Sequence, residues 1–141
     1  MKKFILILIS LLFVTGCMEE KEVTSLQDRG GVKYEINSEV GFTGRLVKKY
    51  ENGQKKEETN YKDGKKDGVF TFWFENGQKK LEGKFKNGKD VGLWTGWHKN
   101  GQKGLEWNLK NGKEDGLLTI WDEEGNVTET KTSKDGELVS P

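Results

Sequence analysis

The chain has 141 residues, enough for one small domain, and sets 24 Lys and Arg against 23 Asp and Glu for a net charge of +1. Near-neutrality excludes a generally polycationic protein that coats nucleic acid. The single Cys excludes an intramolecular disulfide framework and a Cys-based zinc site. Nineteen glycines, no alanine, and one proline at the last position argue against helix. The aromatic content and low net charge argue against disorder, which leaves a β-rich, turn-dense chain.

Met1–Lys3 is basic, Phe4–Val14 is an 11-residue apolar run broken only by Ser10, and Thr15-Gly16-Cys17 follows. A permanent membrane span needs about 20 residues, so this run is too short for one. Val14-Thr15-Gly16-Cys17 resembles the lipobox of bacterial lipoproteins. That resemblance implies a signal peptide over 1–16, lipidation of Cys17, and attachment to the membrane through the lipid. It places the protein in the cell envelope, and Met18 after the Cys implies the outer membrane if the host has two. An ordinary secretory signal or an uncleaved anchor is the alternative. Residues 17–43 are acidic and irregular and are expected to form a tether, with Val32–Ile36 a candidate edge strand.

Self-comparison then shows a period of 24 residues. Asn52-Gly53, Asn76-Gly77 and Asn100-Gly101 recur at that spacing, each followed by Gln, with Glu124-Gly125 a degenerate fourth copy. Asp63-Gly64, Asn87-Gly88, Asn111-Gly112 and Asp135-Gly136 keep the same step, as do Trp73, Trp97 and Trp121. Asn-Gly and Asp-Gly favour type I′ turns, in which both central residues have positive φ. The expected body is therefore a repeat array over 44–139, of about four units.

A two-residue loop at Asn76-Gly77 sets Phe72 opposite Leu81 and Phe70 opposite Gly83. One face then gathers Phe70, Phe72, Phe74, Leu81 and Phe85, while Thr71, Trp73, Lys80, Glu82 and Lys84 point the other way. In the next copy the same logic makes Trp94 and Trp107 an aromatic cross-strand pair. It also lays Phe70 over Gly83 and Trp97 beside Gly104, as aromatics covering strand glycines.

Asn-Gly-Gln-Lys-Lys, followed by an aromatic, Lys-Asn/Asp-Gly-Lys, and Asp-Gly with a second aromatic cluster, resembles the MORN-variant repeat. The resemblance covers roughly Gly44–Val139. It implies an all-β fold, an elongated antiparallel meander of successive hairpins. Bacterial proteins of this type are often grouped with an antitoxin-like family, and eukaryotic relatives serve as scaffolds linked to membrane attachment.

No residue pattern suggests catalysis. His98 is the only histidine and occupies the slot of Tyr50 and Phe74, as a strand residue would. No phosphate loop has the required spacing, and the acidic turns lack the ligand set of a calcium site. The expectation is a non-enzyme with no cofactor and no metal. Gly44–Gly116 carries a net +6, and Leu117–Pro141 a net −4. The basic strands either meet an anionic surface or protect exposed edges. Trp73, Trp97 and Trp121 form a candidate binding face, or else pack to stiffen the sheet. The leading expectation is a scaffold that binds an unknown protein partner through its sheet. An envelope polymer or lipid headgroups held by the tryptophans and basic strands is the second, and an immunity or antitoxin role the third.

Overall fold

The computed structural model describes residues 21–139. The signal peptide expected over 1–16 and Cys17 lie outside the described residues. Twelve strands form: β1 (Glu22–Val23), β2 (Gln27–Arg29), β3 (Val32–Tyr34), β4 (Gly44–Lys49), β5 (Lys55–Lys62), β6 (Lys65–Trp73), β7 (Lys79–Lys86), β8 (Lys89–Trp97), β9 (Lys103–Lys110), β10 (Lys113–Trp121), β11 (Val127–Lys134) and β12 (Glu137–Leu138). A ten-stranded sheet runs β1-β4-β5 and onward in chain order to β12, with β2 and β3 forming a separate hairpin. Every pairing is antiparallel except β1 on β4. The fold is the all-β, elongated meander of successive hairpins that the repeat implies.

Two kinds of turn alternate along it. Asp63, Asn87, Asn111 and Asp135 all adopt positive φ ahead of a positive-φ Gly, and Lys86 pairs with Lys89 across the second of them. These are the two-residue I′ turns expected of such dipeptides. Asn52, Asn76 and Asn100 do not have positive φ, which corrects the expectation of a second I′ series. The Gly77 N–H donates to the Phe74 carbonyl at 2.9 Å, and the Phe74 N–H donates to Gln78 O at 2.8 Å. This closes the three-residue loop Glu75-Asn76-Gly77, with Gly77 at φ +85° in the bulge position. Asn suits the loop through its side chain: Oδ1 accepts the Gln N–H at 2.9 Å in Asn52, 3.1 Å in Asn76 and 3.0 Å in Asn100.

The longer loop shifts the register by one, and a bulge between Phe72 and Trp73 shifts it back. Phe72 therefore pairs with Leu81 and Phe70 with Gly83, as a two-residue loop had implied, although through two compensating irregularities. The bulge also turns Lys80 onto the aromatic face, with Nζ 5.5 Å from the rings of both Phe72 and Phe74. Lys80 was expected on the Trp73 side.

The array is a single sheet with an aromatic run along one face. Phe70 and Phe85 meet edge-on at 5.8 Å, Phe85 and Trp94 at 5.2 Å, and Trp94 pairs with Trp107 at 5.8 Å. Each hairpin is also tied to its neighbour through backbone at the turns. The N–H of Gly64, Gly88, Gly112 and Gly136 donates to a carbonyl 22 residues earlier, at 2.8–2.9 Å.

Residues 21–43, expected as a flexible tether, instead fold onto the first hairpin. β1 pairs with Arg45 and Leu46, and Phe42 is buried with Leu46 and Tyr61 beneath Val23 and Leu26. The first hairpin has no preceding repeat to cover its apolar end, so the N-terminal segment supplies the cap.

Candidate functional site

The alternation of side chains across the strands gives the second face a regular composition. One cross-strand row reads Val47, Glu58, Thr71, Glu82, Thr95, Glu106, Thr119 and Thr130, each residue registered with the next. Lys55 bonds Glu58 at 2.6 Å, and Lys79 and Lys103 bond Glu82 and Glu106 in the same way. Burial pushes the Glu58 carboxyl up, but the hydrogen bonds and charges of Lys55 and Arg45 outweigh it and hold the group below its ordinary range.

Two residues further along the even strands come the half-buried Trp73, Trp97 and Trp121. Lys55 Nζ lies 5.7 Å from the Trp73 ring and Lys79 Nζ 5.9 Å from Trp97, so each lysine bridges the Glu of its own repeat and the Trp of the next repeat. Two residues on the other side of the Thr row stand Val69, Leu93 and Leu117, which are 41%, 50% and 50% exposed. This aliphatic row was missed in the sequence. Its period of 24 was there to be read, but aromatic and Asn-Gly positions dominate a self-comparison.

The ends of the Trp row are tied across repeats. Tyr50 Oη donates to the Trp73 carbonyl at 2.7 Å, and His98 Nε2 lies 2.9 Å from the Trp121 carbonyl. A carbonyl only accepts, so the His98 ring carries its proton on Nε2. His98 thus sits just past β8 as a turn-to-strand clasp. It also covers Gly104, where an added Cβ would lie 2.8 Å from its Nε2, whereas Trp97 pairs with Lys103. That corrects the expected packing of Trp97 on Gly104. In the last copy Asp122 takes the His98 slot and turns inward, accepting from Asn126 and from the Glu124 N–H. These bonds, led by that of the Asn126 side chain, hold its carboxyl below the usual range.

Among the described residues no three His, Cys, Asp or Glu side chains converge as a metal site requires. Two depressions lie beside the N-terminal cap on the aromatic face.

Fold and faces together define a β-hairpin repeat scaffold that presents the same side chains at a fixed step. Residues 42–63 and 66–87 match the MORN repeat variant, one copy each. Such repeats are in general scaffolds that bind membranes or proteins. No curated protein and no solved structure matches the chain.

Proposed function

We propose that the protein is a lipid-anchored scaffold of the bacterial cell envelope, held through Cys17, that docks a protein partner on the Val/Leu–Thr/Glu–Trp face. One observation carries the reading: Val69, Leu93 and Leu117 stay exposed, in phase with Thr71, Thr95 and Thr119 and with Trp73, Trp97 and Trp121. A solvated sheet face has no need of an exposed aliphatic side chain at the same place on every second strand, with Lys84 and Asn108 on the strands between, and protein interfaces are built around apolar centres with polar rims. Stacking of an envelope polymer on the tryptophans is the weaker reading, because lysines already lie over Trp73 and Trp97.

The test is photocrosslinking in intact envelope, from a probe at Leu93 and from one at Phe72 on the opposite face. A discrete protein adduct from Leu93 and none from Phe72 supports the docking face. Adducts only from Phe72, or from neither, reject it. The anchor is tested separately: Cys17→Ser should leave the membrane fraction.

A further inference from the structure

Five Asn-Gly dipeptides lie in exposed turns, at Asn52, Asn76, Asn87, Asn100 and Asn111. Asparagine is thermolabile, and a following glycine places no side chain beside the nitrogen that attacks its amide. Local sequence therefore exposes all five to spontaneous deamidation. The fold does not treat them alike.

The attacking group is held in the same way at each. The glycine N–H donates to a carbonyl at 2.8–3.0 Å in all five turns: Tyr50 for Gly53, Phe74 for Gly77, Lys66 for Gly88, His98 for Gly101 and Asp90 for Gly112. The amide under attack is not. Asn52 and Asn100 are tied at both ends. Oδ1 accepts the Gln N–H two residues on, and Nδ2 donates to a carbonyl of the next repeat, Glu75 at 3.2 Å and Glu123 at 2.8 Å. Asn76 keeps the first bond, but its Nδ2 turns to the Gln78 side chain at 3.3 Å. Among the described residues, the side chains of Asn87 and Asn111 form no hydrogen bond. Asn87 still donates its backbone N–H to Asp67 at 3.1 Å, whereas Val91 stands where Asn111 would need that acceptor.

We propose that Asn111 and Asn87 are the deamidation sites of the folded protein, and that Asn52 and Asn100 are protected. The side chain must rotate to bring Cγ within attacking distance of the glycine nitrogen. That rotation breaks two hydrogen bonds at Asn52 and Asn100 and none at Asn87 and Asn111. Solvent base removes the glycine amide proton, the nitrogen bonds to Cγ, and Nδ2 takes a proton from water and leaves as ammonia. The resulting succinimide is opened by water at either carbonyl, giving aspartate or isoaspartate. Water is the only co-reactant, and nothing is oxidised or reduced.

Each conversion sets a carboxylate beside a lysine pair, Lys86 with Lys89 or Lys110 with Lys113. Conversion of both lowers the net charge of Gly44–Gly116 from +6 to +4. Isoaspartate also adds a backbone carbon to a two-residue I′ turn, which that turn geometry does not accommodate.

The test is peptide mapping by mass spectrometry on the full chain carrying Cys17→Ser, aged in mildly alkaline buffer, once folded and once in urea. In the folded chain Asn111 should convert fastest and Asn87 next, each roughly tenfold faster than Asn52 and Asn100, with Asn76 between. In urea only local sequence acts, and the five rates should agree within about threefold. Val91→Asp should slow Asn111 toward the Asn87 rate while leaving Asn52 unchanged. Asn52 or Asn100 converting as fast as Asn87 in the folded chain overturns the assignment. So does a ranking that persists in urea, or the survival of all five in the folded chain over a period that converts them in urea.

Discussion

The indole of Trp94 lies flat against the backbone of Gly83: a Cβ built there would come within 2.1 Å of the ring. Trp94 is 4% exposed and also touches Phe70, Phe85 and Trp107, so it has nowhere to retreat. Gly83→Ala is expected to cost about 2–3 kcal/mol by overpacking, read by chemical denaturation. The same change in a Trp94→Leu background should cost less, because the two sites share one contact. Equal costs in both backgrounds would separate Gly83 from the indole.

The sequence placed Phe70, not Trp94, over Gly83, and the reason is physical. Turn dipeptides define pairing within a hairpin, here β6 with β7, and that pairing is present. The covering ring comes from β8, across a register shift between Glu82 and Lys84 that falls opposite the positive-φ Gly92. Repeat length, strand alternation and the I′ turns were legible because each rests on local backbone preference. The N-terminal cap was not, because Phe42 and Val23 become core only against Tyr61 of the first hairpin. The aliphatic row was visible in the sequence but needed the faces to give it meaning.

The two turn types predict opposite responses to one substitution. Asn87 has φ +49°, where Gly is free of strain, so Asn87→Gly should be near neutral. Asn76 lacks positive φ and uses its side chain to hold Gln78, so Asn76→Gly should lose about 1 kcal/mol. Thermal unfolding of the two variants decides between this assignment and a uniform series of I′ turns, which predicts matching behaviour.

One repeat lacks a cap that the others have. Thr43 accepts from the Asp63 N–H at 2.9 Å, Asp67 from Asn87 at 3.1 Å and Asp115 from Asp135 at 3.5 Å. Val91 holds the corresponding place for Asn111 and has no acceptor to offer. Val91→Asp should therefore stabilise the array by about 0.5–1 kcal/mol. A lower denaturation midpoint in this variant would count against the capping role.

Those same carboxylates contribute to the acid response, alongside Asp28, Glu58 and Asp122, which are also held below the ordinary range. The backbone N–H of Asn87 and then Lys86 hold Asp67 below the ordinary carboxylate range, and Lys134 does the same for Asp115. A depressed folded-state pKa contributes stability that is present above the unfolded value of about 3.9 and is lost as pH falls through the folded value. The melting temperature should hold from pH 7 to about 5 and then decline below about pH 4. Asp67→Asn should make that decline shallower. An unchanged acid slope would remove Asp67 from the explanation.

Docking on the repeated face makes a last, quantitative prediction. If a protein partner engages one spot, binding energy concentrates in a few anchors, and a single change such as Leu93→Glu or Trp97→Ala should cost about 2 kcal/mol or more. An extended polymer would take a small increment from each repeat, on the order of 1 kcal/mol per aromatic contact, so losses would scale with the number of tryptophans removed. The aliphatic row sharpens the distinction, because a charge at Leu93 adds a desolvation cost at an apolar interface but touches no ring face used in stacking. Folding has to be checked first, since truncating a half-buried Trp can itself cost about 3 kcal/mol. Binding is therefore compared at a temperature where every variant shows the β spectrum of the parent. A concentrated loss at Leu93 and Trp97 supports the protein partner. Equal additive losses at Trp73, Trp97 and Trp121, with Leu93→Glu silent, would replace it with the polymer.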